Sequence, residues 1–371
     1  MTVMKKILQI GMTSNYGGIE SFIMNVYRNI DRNKFQFDFI NMETNGKALA
    51  YSDEIESMGG KIYKIPGRRE NLKKNRNQLK KIIEENNYDF VHNNILTWSY
   101  SEGITLPVRY SNSKVIVHSH NSYMNSGMYA RRFLNFLNRR FNYSNNIIRL
   151  ACSNEAGKWL FRNKHFTVIP NGIVTKEYKF DSKIRDVYRK EFNVENKNVF
   201  LHVGRLSHQK NHEFLLQWFK EICKKDNNSI LFLVGDGELK TKLKKKVKSL
   251  NLTDKVKFLG IRKDVKKLMF MSDTLLFPSF YEGLPVVLVE AQATGLPALI
   301  SNTISREIDI TNNIKRIDIS NAPKQYAELA LKNVYESNIS NRKEAYLKVE
   351  KAGYDIGHTV KMLEEIYTSG V

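Results

Sequence analysis

Glu282 and Glu290 stand in the stretch Phe280-Tyr-Glu-Gly-Leu-Pro-Val-Val-Leu-Val-Glu290, with Gly283, Leu284 and Pro285 directly after the first of them. A carboxylate accepts from two neighbouring hydroxyls at once, as on a ribose or a sugar ring. A helix start beside a glycine offers backbone N–H groups and the positive end of the helix dipole, which suit a phosphate. One short stretch can therefore hold both a polyol and an anion. The competing reading is a plain strand–loop–helix unit with two solvated glutamates. Upstream, Arg205 and Lys210 lie in Gly204-Arg-Leu-Ser-His-Gln-Lys210-Asn211. Arginine supplies a forked contact and lysine a point charge, so the pair can clamp a diphosphate. Gly235-Asp236-Gly237 allows close backbone approach of a flat base or ribose. Together these residues describe a nucleotide diphospho-sugar pocket. No convincing Asp-x-Asp metal pair accompanies them, and two cations can neutralise a departing diphosphate without a metal ion.

Two further candidates lie in the first half. The run Lys114-Val-Ile-Val-His118-Ser-His120 ends in histidines two apart. Residues i and i+2 share one face of a strand. In an open parallel sheet the carboxyl ends of strands line the ligand crevice. A satisfied core or surface histidine is the alternative. Gly17-Gly18, in the loop after the first strand, lets backbone approach a ligand. It has neither the spacing of a dinucleotide fingerprint nor that of a P-loop, and a simple tight turn is the competing reading.

The elements that must position these residues alternate. Short apolar runs over 7–10, 35–40, 61–65, 88–92, 114–120, 147–153 and 167–172 read as strands, with a helix over 19–29. The alternation restarts with strands over 198–204, 229–235, 256–260 and 274–278, and helices over 239–250 and 264–271. Asn211 can cap the helix that follows it. Pro285 suits the first turn of the helix carrying Glu290, and Gly295 its stop. The charged stretch from Lys176 to Asn198 reads as a linker. The fold class is α/β: two Rossmann-like doubly wound domains, 1–175 and 176–355, facing across a cleft.

At 371 residues with a net charge of +21, the chain calls for an anionic partner: nucleic acid, an anionic membrane face or phosphorylated substrates. No nucleic-acid module is recognisable. Charge is densest at Arg68, Arg69, Lys73, Lys74, Arg76, Lys80 and Lys81, a run that also fits a solvated helix face. Between Met128 and Tyr143, Phe133, Phe136, Leu137 and Phe141 interleave with Arg131, Arg132, Arg139 and Arg140 at helical spacing. Such a helix can lie on an anionic bilayer, or pack its aromatics on the core with the arginines outside. Two distant cysteines, Cys152 and Cys223, argue against a disulfide framework or a zinc site. The apolar run near the N-terminus is too short for a signal peptide, and the longest weakly charged stretch, 283–302, holds Glu290 and two prolines. The expectation is a cytoplasmic protein, peripheral at the inner face of the plasma membrane.

The motifs Gly204-Arg-x4-Lys210, Val234-Gly-Asp-Gly-Glu238 and Glu282-x7-Glu290, in this order, resemble the retaining GT-B glycosyltransferases of family 4. Gly17-Gly-Ile-Glu20, His118-Ser-His-Asn121 and Val168-Ile-Pro-Asn-Gly172 fit the same family, so the resemblance spans nearly the whole chain, and the subgroup building bacterial capsule or exopolysaccharide is similar. The resemblance implies an N-terminal acceptor-binding domain, a C-terminal nucleotide-sugar-binding domain, and a last helix, 356–371, crossing back to the first. It implies that Arg205 and Lys210 hold the donor diphosphate, Glu290 the ribose, and Glu282 with the amides of Gly283 and Leu284 the transferred sugar. Gly17 and Gly18 would approach the β-phosphate, and His120, or else His118, the sugar. The expected partners are a nucleotide-sugar donor, a saccharide or lipid-linked acceptor and an anionic membrane surface, with no cofactor, no metal and no nucleic acid. One departure is Asn302-Thr-Ile-Ser-Arg-Glu307, where most members carry a Gly-Gly turn. The rival functions are a sugar-nucleotide epimerase of the same fold, and a basic lipid- or nucleic-acid-binding protein with a vestigial pocket.

Overall fold

The computed structural model describes residues 4–122, 129–143, 147–335 and 342–370. The chain forms two compact units: Met1–Gly172 together with Ile356–Val371, and Ile173–Asp355. In the first, seven strands form one parallel sheet: β1 Lys5–Ile10, β2 Phe35–Asn41, β3 Ile62–Lys64, β4 Phe90–Ile95, β5 Lys114–Ser119, β6 Ile147–Ala151 and β7 Thr167–Val168. Their order is β3-β2-β1-β4-β5-β6-β7. Helices cover both faces of a parallel sheet, which is why these strands are apolar runs: Ile7, Leu8, Phe37, Phe39, Val91, Ile116 and Val117 are wholly buried. The order reverses between β1 and β4, so the loops after their carboxyl ends part there, and a crevice opens between them.

The final helix, Ile356–Ser369, belongs to this first unit although 183 residues of the second unit separate it from Gly172. Its buried residues Ile356, Val360, Leu363, Ile366 and Tyr367 recur at helical spacing and form one apolar stripe. Polar contacts fix its register: Thr359 Oγ1 donates to Pro170 O (2.9 Å), and Glu364 Oε1 accepts from the Asp31 N–H (3.0 Å).

The second unit holds six parallel strands: β8 Asn198–Val203, β9 Ser229–Val234, β10 Val256–Gly260, β11 Thr274–Phe277, β12 Ala298–Ser301 and β13 Ile314–Ile317. Their order is β10-β9-β8-β11-β12-β13, again reversing beside the first strand of the sheet. Its core gathers Phe200, Leu215, Trp218, Phe219, Leu231 and Leu276.

Three local expectations change. Residues 176–198 are not a linker: they hold a short turn, Thr175–Tyr178, and a helix, Ser182–Glu191, capped by Asp181, whose Oδ1 accepts from the Lys183 N–H (2.8 Å). The density of charge is misleading because two of the arginines point inward. Arg185 and Arg189 share Asp273 at 2.5 and 3.2 Å. Arg185 also donates to the carbonyls of Phe270, Met271 and Ser272, at the negative end of the helix Val265–Met271. Pro285 precedes the helix Val286–Ala293 instead of opening its first turn, while Gly295 takes the left-handed φ of +65° that ends it. Asn211 stands at the head of the helix His212–Lys225 in a left-handed conformation, φ 52°, without a side-chain cap bond. Met128, and the side chain of Arg131, lie outside the described residues.

Removing Asp273 leaves two buried guanidinium groups without their carboxylate. Asp273→Ala is expected to destabilise the second unit by about 3–5 kcal/mol in urea unfolding. A loss below about 1 kcal/mol, the range of surface pairs, would show that the arginines are solvated.

Candidate active-site residues

In the second unit the candidate residues follow the carboxyl ends of β8, β9 and β11. After β8 the chain runs through Gly204 and Arg205 to a 3-10 turn, His208–Lys210, before the next helix. Lys210 folds back over Gly204: a Cβ there would come within 2.9 Å of Lys210 Cε, so the glycine makes room for the lysine. Lys210 Nζ donates to Glu282 Oε1 at 2.7 Å, with both side chains largely buried (14 % and 8 % exposed). Gln209 Nε2 donates to the other carboxylate oxygen, Oε2 (3.1 Å), and to Tyr281 O (3.0 Å). The Phe280 N–H donates to Gln209 O (2.9 Å), and the His208 ring stacks on Phe280 with centroids 5.0 Å apart. Two loops more than seventy residues apart in sequence are thus one structure. Gln209 was not singled out in the sequence; a neutral amide between a lysine and a histidine carries no chemical signal until its partner is known.

Arg205 sits differently. Its Nε donates to Glu238 Oε2 at 3.1 Å, and both side chains are more than half exposed. Glu290, in the second turn of its helix, is partly buried, and Tyr178 Oη donates to its Oε1 at 2.7 Å. Burial raises the Glu290 carboxyl above the usual carboxylate range, against the lowering effect of the tyrosine bond. Gly283 and Leu284 are buried between the two glutamates. Gly235 and Gly237 meet their own chain: a Cβ on Gly235, φ +127°, would lie 2.1 Å from Gly204 O, and one on Gly237 2.6 Å from Leu206 O. Their small size serves the packing of the two loops together, whatever else approaches. Asp236 closes this turn, its Oδ1 accepting from the Gly237 N–H (2.7 Å) and its Oδ2 from Lys240 (2.6 Å).

In the first unit the loop after β1 is organised by Glu20, which the sequence placed in a motif without a role. It occupies the third position of the helix Gly18–Asn29, and its buried carboxylate accepts from Thr13 N–H (2.9 Å), Thr13 Oγ1 (2.7 Å) and Gly17 N–H (3.1 Å). The signal was the capping spacing from Gly17 to Glu20. The Gly17 amide is thus one of the three donors that this carboxylate gathers. Desolvation pushes the Glu20 carboxyl upward.

The two histidines separate. His118 is wholly buried, its Nδ1 3.3 Å from His92 Nε2, while His92 Nδ1 lies 2.7 Å from Tyr367 Oη of the last helix. The His118 ring packs against Phe22, His92 and His120, which sets it behind His120 and away from solvent. His120, just past the strand end, is partly exposed, with Nε2 3.0 Å from Asn94 Oδ1. Burial depresses His92 and His120 to about 3 and His118 well below its ordinary value. Among the described residues no cluster of side chains could hold a metal ion.

Residues 16–177 match the family described as Glycosyltransferase Family 4, and residues 184–347 the family described as Glycosyl transferases group 1. The chain is 31 % identical, over 98 % of its length and 96 % of the relative's, to the protein of Bacillus subtilis named as glycosyltransferase EpsF. It is 28 % identical, over 99 % of both chains, to the capsular polysaccharide biosynthesis glycosyltransferase CapH of Staphylococcus aureus. A partial match, 37 % identical over 37 % of this chain and 36 % of the relative, reaches an Escherichia coli enzyme named as the UDP-Gal:alpha-D-GlcNAc-diphosphoundecaprenol alpha-1,3-galactosyltransferase. Anabaena HepE, solved with UDP-glucose, shares the fold with a TM-score of 0.78 at 19 % identity, covering 98 % of this chain and 99 % of its own.

The buried histidines have a thermodynamic consequence. They are neutral when folded, whereas an unfolded imidazole takes up a proton near its ordinary value of 6.5. Their contribution is intact above that pH and is lost as pH falls below it, by about 1.4 kcal/mol per pH unit for each wholly buried ring. Urea unfolding between pH 7 and 5, above the range where most carboxylates titrate, is expected to show this steep decline. A flat profile would mean that the rings already carry protons in the fold.

Proposed function

Because the chain belongs to glycosyltransferase family 4 and has two Rossmann-like domains of the GT-B kind, we propose that it is a retaining enzyme of exopolysaccharide or capsule assembly. It moves a hexosyl-type group from a UDP-sugar to a saccharide on a polyprenyl diphosphate. The observation that carries this reading is the Lys210–Glu282 pair at 2.7 Å, held by Gln209 at the carboxyl ends of two parallel strands. It joins the cation a departing diphosphate needs to the carboxylate a sugar needs. The capsular relative and the lipid-linked substrate in the name of the Escherichia coli enzyme support the pathway and the acceptor, and UDP-glucose in HepE supports the donor.

On this reading the donor diphosphate displaces carboxylates from both cations. Lys210 turns its charge from Glu282 to the phosphates, and Arg205 turns from Glu238. Glu282, still held through Oε2 by Gln209, accepts from hydroxyls of the transferred sugar. Glu290 accepts from the ribose while Tyr178 orients it. The leaving diphosphate is stabilised by fixed cations in place of a metal ion, and the sugar passes through an oxocarbenium-like state. We assign no covalent nucleophile, and on this reading retention follows attack on the face the diphosphate leaves. An epimerase of the same fold would instead release UDP without needing an acceptor.

A second observation favours a membrane-borne acceptor. The helix Tyr129–Asn138 turns its polar side inward: Asn135 Oδ1 accepts from the Trp98 N–H (2.8 Å), and Asn138 Nδ2 donates to Trp98 O (2.8 Å). Its apolar side faces out, with Tyr129, Phe133 and Phe136 exposed by 80 %, 62 % and 69 %. The packing expected of an ordinary core helix is reversed. Arg132 and Arg140 are exposed on the same segment, and the lysine-rich helix Arg68–Asn86 adds basic surface to the same unit. No helix among the described residues is long and apolar enough to cross a membrane. The chain works peripherally at an anionic bilayer face, with the aromatics at the acyl boundary and the arginines among the headgroups.

Two experiments test these proposals. Lys210→Ala is expected to lower transfer about a hundredfold, the effect of losing one stabiliser of developing charge, while the wild-type enzyme keeps its rate in EDTA. Near-normal turnover would remove the diphosphate role, and activity lost to EDTA and restored by Mg²⁺ would overturn the metal-free step. In sedimentation with anionic vesicles, Phe133→Ser/Phe136→Ser is expected to abolish binding while transfer to a water-soluble acceptor persists. A wild-type chain that ignores such vesicles at low salt, or binds duplex nucleic acid more tightly, would refute the membrane reading.

A further inference from the structure

We infer that Asn94 is a positioning residue: it holds His120 in the tautomer protonated at Nε2, so that Nδ1 meets the substrate as a hydrogen-bond acceptor for a hydroxyl. The inference deepens the proposed transfer reaction and rests on it for the identity of the substrate.

A main-chain carbonyl can only accept. Asn94 Nδ2 lies 3.4 Å from Ile10 O and 2.9 Å from Gln9 Oε1. The amide nitrogen therefore faces β1, and Oδ1 faces the other way, 3.0 Å from His120 Nε2. An amide oxygen offers lone pairs and no proton, so the hydrogen between these atoms belongs to the histidine. A neutral imidazole carries one N–H, and Nδ1 is then left with a lone pair. Around the ring stand Phe22, with centroids 5.2 Å apart, and His118 at 4.2 Å, itself backed by His92. Burial pushes both neighbouring histidines, and His120 itself, toward the neutral single-proton form.

The place of Asn94 in the fold explains its rigidity. It lies near the end of β4, between β1 and β5, where the strand order reverses, and it pairs in register with His118. It is 3 % exposed. Its main-chain oxygen also lies against Gly11, where a Cβ would come within 2.2 Å. One buried residue thus touches both the loop after β1 and the histidine after β5. A group that donates to Nδ1, such as a sugar hydroxyl, is favoured there. A phosphate or carbonyl oxygen would set lone pair against lone pair.

The test reads the tautomer directly. In the full chain with 15N-labelled histidine, the His120 signals (assigned by their disappearance in His120→Gln) are expected to show Nε2 protonated and Nδ1 bare. Asn94→Leu removes the accepting oxygen. It is expected to give a mixed tautomer and to lower kcat by about five- to tenfold, the effect of one neutral hydrogen bond. Asn94→Asp restores an acceptor and the Nε2-protonated form, and adds an acid limb to the pH–rate profile by stabilising the imidazolium. A wild-type His120 protonated at Nδ1 overturns the inference even if Asn94→Leu fails to fold. A folded Asn94→Leu with unchanged tautomer and kcat does the same. The spectrum needs no substrate, so an Nε2-protonated His120 in a chain without transferase activity would sink the proposed reaction and leave the tautomer assignment standing.

Discussion

A parallel sheet sends the carboxyl end of every strand to the same edge, and nearly every candidate residue in this chain depends on that constraint. In the first unit Gly11 follows β1, Asn94 lies near the end of β4 and His120 follows β5. In the second, Gly204 follows β8, Gly235 follows β9, and the stretch leading to Glu282 follows β11. The reversal of strand order beside β1 and again beside β8 parts the loops at one point of each sheet. Residues far apart in sequence become neighbours there with no further device. The glycines record the crowding: at Gly11, Gly204, Gly235 and Gly237 a side chain would run into a neighbouring loop or the lysine it carries.

Within that frame the second unit pairs its candidate cations with its own carboxylates. Lys210 is paired with Glu282 and Arg205 with Glu238. The two pairs differ in kind. The exposed pair contributes little to stability because water screens both groups. The buried pair is costly to form by desolvation, and its worth depends on how fully its hydrogen bonds are met. Gln209 completes that set by donating to the second oxygen of Glu282. A buried pair of this kind is weak evidence for stability, because desolvation of both charges offsets their attraction.

The first unit uses burial in the opposite sense, to keep its polar groups uncharged or tightly bound. Three adjacent histidines are neutral, and the last helix contributes Tyr367 to their network. That contact gives the return of the chain a chemical as well as a packing role: the helix Ile356–Ser369 closes the back of the histidine cluster. The buried carboxylate of Glu20, in the first turn of the helix Gly18–Asn29, ties down the loop after β1 by accepting three hydrogen bonds from Thr13 and Gly17.

Periodicity alone determined the α/β class and the two rounds of strand–helix alternation, and the loop motifs carried the resemblance to the family, because apolar runs of strand length and fixed loop motifs are local properties of the chain. The same local evidence named Lys210, Glu282, Glu290 and His120 as candidates. What each does with its neighbours was decided only by the tertiary structure. The stretch that holds Arg185 and Arg189 reads as a charged linker, yet a single carboxylate, Asp273, over eighty residues away, draws both arginines inside. The aromatics of Tyr129–Asn138 fitted a core-facing stripe as well as an outward one until Trp98 claimed the asparagines on the other side. The rings of His118 and His120 lie side by side, centroids 4.2 Å apart, but His118, inside β5, is wholly buried while His120, just past its end, is partly exposed. Gln209, Asn94 and Glu20 act through hydrogen bonds to particular partners, and a hydrogen bond has direction and length but no pattern in the sequence.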